Sequence, residues 1–387
     1  MTAECSVELK AGLDQGSLWC EEPPTVAGSG FVPVTEIRLV TSCLDGSGKK
    51  WQSQNGYLVS ARTTFDTGAT AAVGDDYYGI AAEGPIYSLR CLDGPGQEFV
   101  LPQDGCLNLE FQLFDGSKEV WSGEARRVTR RDSEEATGET VAFLHTETLG
   151  ARHGTDMLAA QGYEVLDIAI QPESPVLDLV LEQLSDAGPL HLVSSGRASE
   201  AALELAQRLP NLKSVVTFSG SGLRFSPWSI GGEELPYVQC DHSSLQPRGG
   251  SVLFARKVYA EAVADRENRD RGRIAVEKIE CPLYMFTGAD DQMWPSSAFS
   301  ELAAQRRKAH GLEEQTFHRT FPSVGHDLGP ELGLPGLPTT ERTIAHPSTG
   351  FRLALGGKMG RQSRARRACW EGLLAVLRGE QPTPDRE

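Results

Sequence analysis

Three short stretches carry residue types able to do acyl-group chemistry. LHLVSSGRASEAAL, residues 190–203, leads from an apolar segment into Ser194, Ser195 and Gly196, and a helix-like pattern follows. MFTGADD, residues 285–291, ends an apolar segment on Asp290 and Asp291. FPSVGH, residues 321–326, ends another on Gly325 and His326. A serine attacks only when a neighbouring base takes its proton. A histidine serves as that base when a carboxylate fixes its tautomer and stabilises the imidazolium. Each residue also has a plainer reading. Asp290 and Asp291 suit the cap of a helix beginning near Pro295. Ser195 or Gly196 suits the cap of a helix from Arg197, and a lone His326 would be a loop histidine. His145, His153, His191, His242, His310, His318 and His346 have no such context and read as structural or surface residues.

Such residues need rigid elements to bring them together. From about residue 140 the chain alternates strand-like and helix-like segments. VAFLH, YEVLDIAI, PLHLVSS, LKSVVTFSGS, CPLYMFTGADD and EQTFHRTFPSVGH read as strands. ARHGTDMLAAQG, SPVLDLVLEQLSDAG, RASEAALELAQRL, SAFSELAAQRRKAHG and RQSRARRACWEGLLAVLRG read as helices. That alternation predicts a mostly parallel sheet with helices on both faces. Chemistry in such sheets lies at the carboxyl ends of the strands, where all three stretches fall. Their order, serine then acid then histidine, is that of α/β-hydrolase triads. Residues 222–273 break the alternation and read as an insertion over that edge.

Residues 1–130 have another rhythm. EIRLVTSCL, YLVSART, YYGIAA, PIYSLRC, LNLEFQLF and EVWSGEARRV are strand candidates separated by Gly/Asp turns such as LDGSG and FDGSK. They predict a small antiparallel sandwich. A charged, apolar-poor linker, residues 131–139, joins it to a hydrolase domain over 140–380, and 381–387 form a tail.

The formal net charge of −16 argues against a nucleic-acid partner, which would need a local excess of Lys and Arg. No run of 18 apolar residues provides a membrane span. The N-terminal MTAECSVELKAGLDQG lacks the basic and apolar regions of a signal peptide. The eight cysteines form no C-x-x-C pair, so no zinc site is expected, and reduced thiols fit a cytoplasmic location. No Walker loop or dinucleotide fingerprint points to a bound cofactor.

VEKIECPLYMFTGADDQMWPSS, residues 276–297, resembles the acid segment of the acyl-CoA thioesterase and bile acid-CoA:amino acid N-acyltransferase family. FPSVGHDLGPELGLP resembles its histidine segment, and LGGKMGRQSRARRACWEGLLAVL its closing Gly-Gly turn and C-terminal helix. VTEIRLVTSCLDGSGKKWQSQNGYLVS and GDDYYGIAAEGPIYSLRC resemble its immunoglobulin-like N-terminal domain. The resemblance implies an α/β-hydrolase domain behind an all-β domain, a small-molecule acyl thioester as substrate, and coenzyme A as part of that substrate. It assigns the acid role to Asp291 and the base role to His326, with Asp290 one residue short of the family's spacing from Gly288.

The nucleophile segment departs from the family pattern, which reads like G-x-S-x-G-A-E or has Cys for Ser. With Glu200, Ala206 and Pro210 in register, Gly196 takes the nucleophile position, and Ser194 and Ala198 replace the flanking glycines. A shift of one residue would present Ser195 instead. The family's long glycine-rich loop, a source of oxyanion donors, corresponds to VAFLHTETLGARHG, which has only isolated glycines. Three readings follow. The first is an acyl-thioester hydrolase or acyltransferase using Ser195, Asp291 and His326. The second is a His326–Asp291 general-base enzyme with no covalent intermediate, and the third is a non-catalytic binding protein. Arg361, Arg364, Arg366 and Arg367 form the densest basic cluster, suited either to phosphate or to a solvated helix face.

Overall fold

The computed structural model describes residues 5–10, 17–19, 21–130, 135–146, 151–171, 176–245, 247, 252–330, 333–346 and 350–382. The chain divides into two compact units. One comprises Met1–Arg131 with Pro335–Glu341, and the other Asp132–Leu334 with Arg342–Glu387. Nothing in the sequence pattern marks the excursion at 335–341.

The first unit is built on β-sheets. Its larger sheet has an antiparallel centre of Lys118–Val128, Cys106–Asp115, Glu36–Leu44 and Lys50–Leu58. A second, three-stranded antiparallel sheet contains Ser6–Lys10, Thr25–Ser29 and Thr64–Asp66. The strand expected from YLVSART begins earlier, at Lys50, because its buried face includes the polar residues Ser53 and Asn55. That polar filling hides the alternation. Ser53 is satisfied by donating its hydroxyl to the Pro85 carbonyl at 2.6 Å. PIYSLRC is not the continuous strand expected: Gly84–Tyr87 is a short helical turn, and only Arg90–Cys91 are extended. Pro85 stands in the first turn of that helix, where its missing N–H costs nothing.

The second unit holds the alternating elements. Its strands are β1 (Thr140–His145), β2 (Glu164–Ala169), β3 (Leu190–Ser195), β4 (Leu212–Phe218), β5 (Leu283–Gly288) and β6 (Thr316–Phe321). They form one six-stranded sheet in the order β2-β1-β3-β4-β5-β6, with every pairing parallel. This is the doubly wound α/β-hydrolase arrangement. All residues of β1, β3 and β5 are buried, as expected of central strands covered on both faces. The helices are α1 (Ala151–Ala159), α2 (Asp178–Ser185), α3 (Ala198–Ala206), α4 (Arg256–Ala264), α5 (Ser296–Ala309) and α6 (Met359–Leu377). All nine residues of α3 are buried, which accounts for its run of small residues, ASEAALELA.

Among its described residues the stretch 222–273 contributes no strand to this sheet. It holds α4, a second helix at Arg266–Arg271, and a small hairpin of Ser229–Ile230 with Glu233–Glu234. Two buried carboxylates on α3 tie it down. Glu204 pairs with Arg224, and Glu200 accepts from the backbone N–H groups of Phe225 and Ser226 at 3.0 and 3.1 Å. Among the described residues no helix is long and apolar enough to cross a membrane. Seven cysteines are free thiols; Cys20 lies outside the described residues.

Candidate active site

The acid and the histidine come from consecutive loops at the carboxyl ends of β5 and β6. Asp291 is fully buried, and its carboxylate is saturated. One oxygen accepts from the backbone N–H groups of Met293 and Trp294 at 3.0 and 3.2 Å. The other accepts from the Ser296 hydroxyl at 2.7 Å and meets His326 Nδ1 at 2.9 Å. Asp290 points elsewhere, accepting from the Gly357 N–H at 3.0 Å and from Gln292 at 2.7 Å. The sequence reading of Asp291 as a helix cap is also realised in part, since it receives the amides ahead of α5. One carboxylate does both jobs with its two oxygens.

His326 is held from several sides. Its N–H donates to the Leu355 carbonyl at 2.9 Å, and its own carbonyl accepts from Ser219 Oγ at 2.5 Å. The Trp294 ring stands edge-on to the imidazole at 6.1 Å between centroids, and the Trp294 indole donates to the Ser219 carbonyl at 2.8 Å. Ser219 ends β4 in a left-handed conformation, φ +47°, a strained state for a non-glycine residue. Ser219, Trp294 and their role in seating the histidine carry no signal in the sequence, because the contacts cross from β4 to two distant loops.

The packing of these loops depends on glycine. A Cβ at Gly288 would stand 2.3 Å from the Gly325 carbonyl, and one at Gly325 would stand 2.4 Å from the Gly356 carbonyl. The acid loop, the histidine loop and the Gly356-Gly357 turn therefore touch backbone to backbone. Helix α6 splints them. Gln362 accepts from the Gly325 N–H and donates to the Asp327 carbonyl, both at 2.8 Å. Asp327, next to the histidine, is buried between Arg342 and Arg366. Burial alone would raise its pKa, but the two guanidinium groups outweigh that and hold it down at about 2. Arg366 is thus an internal partner of the histidine loop, which removes it from the basic cluster the sequence offered to phosphate. Arg361 and Arg364 are exposed.

The elbow follows β3. Gly196 has φ +54°, and its N–H donates to the Phe218 carbonyl at 2.9 Å. A Cβ built on Gly196 would lie 3.4 Å from His326 Nε2, with only the imidazole ring within 4 Å. Residue 196 therefore occupies the place from which an elbow side chain would face the base, and that residue is glycine. Ser195 is one position earlier, nearly buried, with its Cβ against Gly329: a Cβ added at Gly329 would come within 2.8 Å of it. Ser194 is fully buried, and its hydroxyl meets no hydrogen-bond partner among the described residues. The structure joins Asp291 to His326 and turns Nε2 toward position 196. Part of the stretch matched to the glycine-rich loop, residues 147–150, lies outside the described residues.

The other histidines have structural partners where described. His145 bonds Asp167 at 2.7 Å, and His191 lies between Ser214 and Glu139. Burial lowers the His191 pKa, against the pull of Glu139.

The BAAT / acyl-CoA thioester hydrolase C-terminal family model matches residues 186–380, just over half of the chain, and spans the elbow, the acid and the histidine. The chain belongs to this family. Among similar proteins is human acyl-coenzyme A thioesterase 6, 21% identical and aligned over 91% of each chain. Mouse peroxisomal succinyl-coenzyme A thioesterase is 22% identical over 92% of this chain and 93% of its own. Human bile acid-CoA:amino acid N-acyltransferase is 22% identical over 92% and 94%. The family match agrees with the expectation drawn from the acid, histidine and C-terminal segments.

Proposed function

We propose that this protein hydrolyses acyl thioesters of the coenzyme A type with His326 as a general base acting directly on water. The observation that carries this reading is the pairing of an intact base with a side-chain-free elbow. His326 is bonded to the saturated, buried Asp291, and its Nε2 faces Gly196. With the Nδ1 proton donated to Asp291, Nε2 holds the lone pair. A water held over Gly196 gives its proton to Nε2 as its oxygen attacks the thioester carbonyl. The C–S bond then breaks, and the imidazolium returns the proton to the departing thiolate. Asp291 stabilises the imidazolium during the step. The Arg197 N–H, next after the elbow, supplies one oxyanion donor, as the residue after the nucleophile does in this fold.

Ser195 is the competing nucleophile. Its position against Gly329, one residue before the turn, favours water over it. Thiol release from an acyl-CoA panel tests the reading. Turnover is expected to fall to background in His326→Ala and to stay within about twofold of the parent in Ser195→Ala. Loss of turnover in Ser195→Ala would transfer the attack to that serine, and absence of turnover in the parent protein would leave a binding protein.

A further inference from the structure

Arg197 follows the elbow glycine, and its half-buried side chain runs into the insertion. One terminal nitrogen donates to Ser226 Oγ at 2.8 Å and to the Phe225 carbonyl at 3.3 Å, and the other to the Tyr259 hydroxyl at 2.6 Å. All three acceptors are neutral. Among the described residues no carboxylate lies within ion-pair distance of Arg197, whereas Arg224, Arg342 and Arg366 in the same unit each pair with a buried carboxylate. Glu200, one turn along α3, spends one oxygen on Phe225, Ser226 and Trp228, and its charge acts on Arg197 through space without a direct bond. Arg307 also sees only neutral acceptors, but it is fully buried and five of them surround it. A guanidinium has five N–H donors. Arg197 spends three.

Arg256, on α4, repeats the pattern. It lies one turn before Tyr259 on α4, is half-buried, and donates to the Asp291 carbonyl at 2.5 Å. Among the described residues it too has no carboxylate partner. Tyr259 packs edge-on against Trp294 at 5.7 Å, and Trp294 against His326 at 6.1 Å. Two arginines with unspent donors therefore touch residues of the site, Arg197 the Tyr259 hydroxyl and Arg256 the Asp291 carbonyl, in a chain with 53 acidic and 37 basic residues. A planar guanidinium fork with donors to spare matches carboxylate or phosphate oxygens.

We propose that Arg197 and Arg256 receive an oxyanion of the ligand, either a carboxylate on the acyl group or a phosphate of the thiol carrier. This inference rests on the reading of the site given above, but its test needs binding only. Calorimetric titration of the full chain would compare three non-hydrolysable thioethers: S-butyl-N-acetylcysteamine, its S-(3-carboxypropyl) analogue, and S-butyl-coenzyme A. A carboxylate site predicts that the carboxypropyl compound binds about tenfold tighter than the butyl compound. Arg197→Met or Arg256→Met should then erase the difference. A phosphate site predicts equal binding of the two N-acetylcysteamine compounds, and about tenfold weaker S-butyl-coenzyme A binding in either variant. If Arg197→Met fails to fold, Arg256→Met and the ligand ratios of the parent protein carry the test. Charged and neutral ligands that bind alike in parent and variants would overturn the proposal and mark Arg197 as a staple between elbow and insertion. None of these outcomes depends on whether the protein turns over thioester.

Discussion

The two sides of the candidate site are built to different standards of completeness. On the β5–β6 side every polar atom of the acid is engaged, and three loops meet backbone to backbone through Gly288, Gly325 and Gly356. Helix α6 braces the histidine loop through Gln362 and Arg366. On the β3 side the turn keeps the left-handed backbone of an elbow, but its residue is Gly196, and the nearby Ser194 hydroxyl is buried without a partner among the described residues. The scaffold that holds and orients His326 is complete, while the elbow residue that faces it carries no side chain. On the function proposed above, His326 seated in this way acts on water, and the contrast between the two sides can be attacked from either.

The largest effect is expected from the complete side. His326→Ala should lower thioester turnover by roughly 10²–10⁴-fold, the usual contribution of a positioned general base, as read by thiol release. An equal loss in Ser195→Ala would collapse the distinction between the sides.

The brace behind the histidine should show in stability. Asp327→Ala leaves the buried Arg366 and the half-buried Arg342 without their carboxylate, and should cost about 3–5 kcal/mol in denaturant unfolding. Because the folded pKa of Asp327 is depressed to about 2, its contribution is present above the ordinary carboxylate range near pH 4. It is lost as pH falls from about 4 through 2. The parent protein should therefore lose stability over that window, and Asp327→Ala should show a flatter acid limb. A parallel limb in the variant would mean that the pair is not set as described.

The incomplete side can be repaired. The space around Gly196 admits a side chain, with only the imidazole within 4 Å of a built Cβ. Gly196→Ser should yield an acyl-protein adduct on that serine, visible by intact-mass spectrometry after brief exposure to acyl-CoA. The left-handed φ should cost the variant roughly 1–3 kcal/mol. A folded variant that never acylates would show that the base is misaimed.

The smallest effect is expected at Ser219. Ser219→Ala removes the hydroxyl that bonds the His326 carbonyl, worth about 1 kcal/mol, and should shift the pH–rate profile with a severalfold loss of turnover. An unchanged profile would remove Ser219 from the seating of the base.

Much of this was legible in the sequence, for identifiable reasons. The central strands β3, β4 and β5 are apolar runs leading into Ser or Gly, so their carboxyl ends, with Asp291 just beyond β5, could be located directly, and the Gly-His pair marked the end of the segment carrying His326. Gly196 at the elbow was visible from register. What escaped were contacts between segments remote in sequence, such as Ser219 with His326 or Asp327 with Arg342 and Arg366. Arg366 lay in a cluster suited either to phosphate or to a solvated helix face, and only its burial against Asp327 reveals its partner. In the first unit, the buried Ser53 and Asn55 masked a strand, and Pro85 in PIYSLRC opens a helical turn inside an apolar run.

The central claim is that His326 activates water over Gly196 with no acyl-enzyme. Intact-mass spectrometry of the parent protein, quenched during steady-state turnover of an acyl-CoA, tests it most directly. The expected result is continuing thiol release, abolished in His326→Ala, with the protein mass unchanged throughout. A mass increase of one acyl group that maps to Ser195 and decays as substrate is exhausted would contradict it.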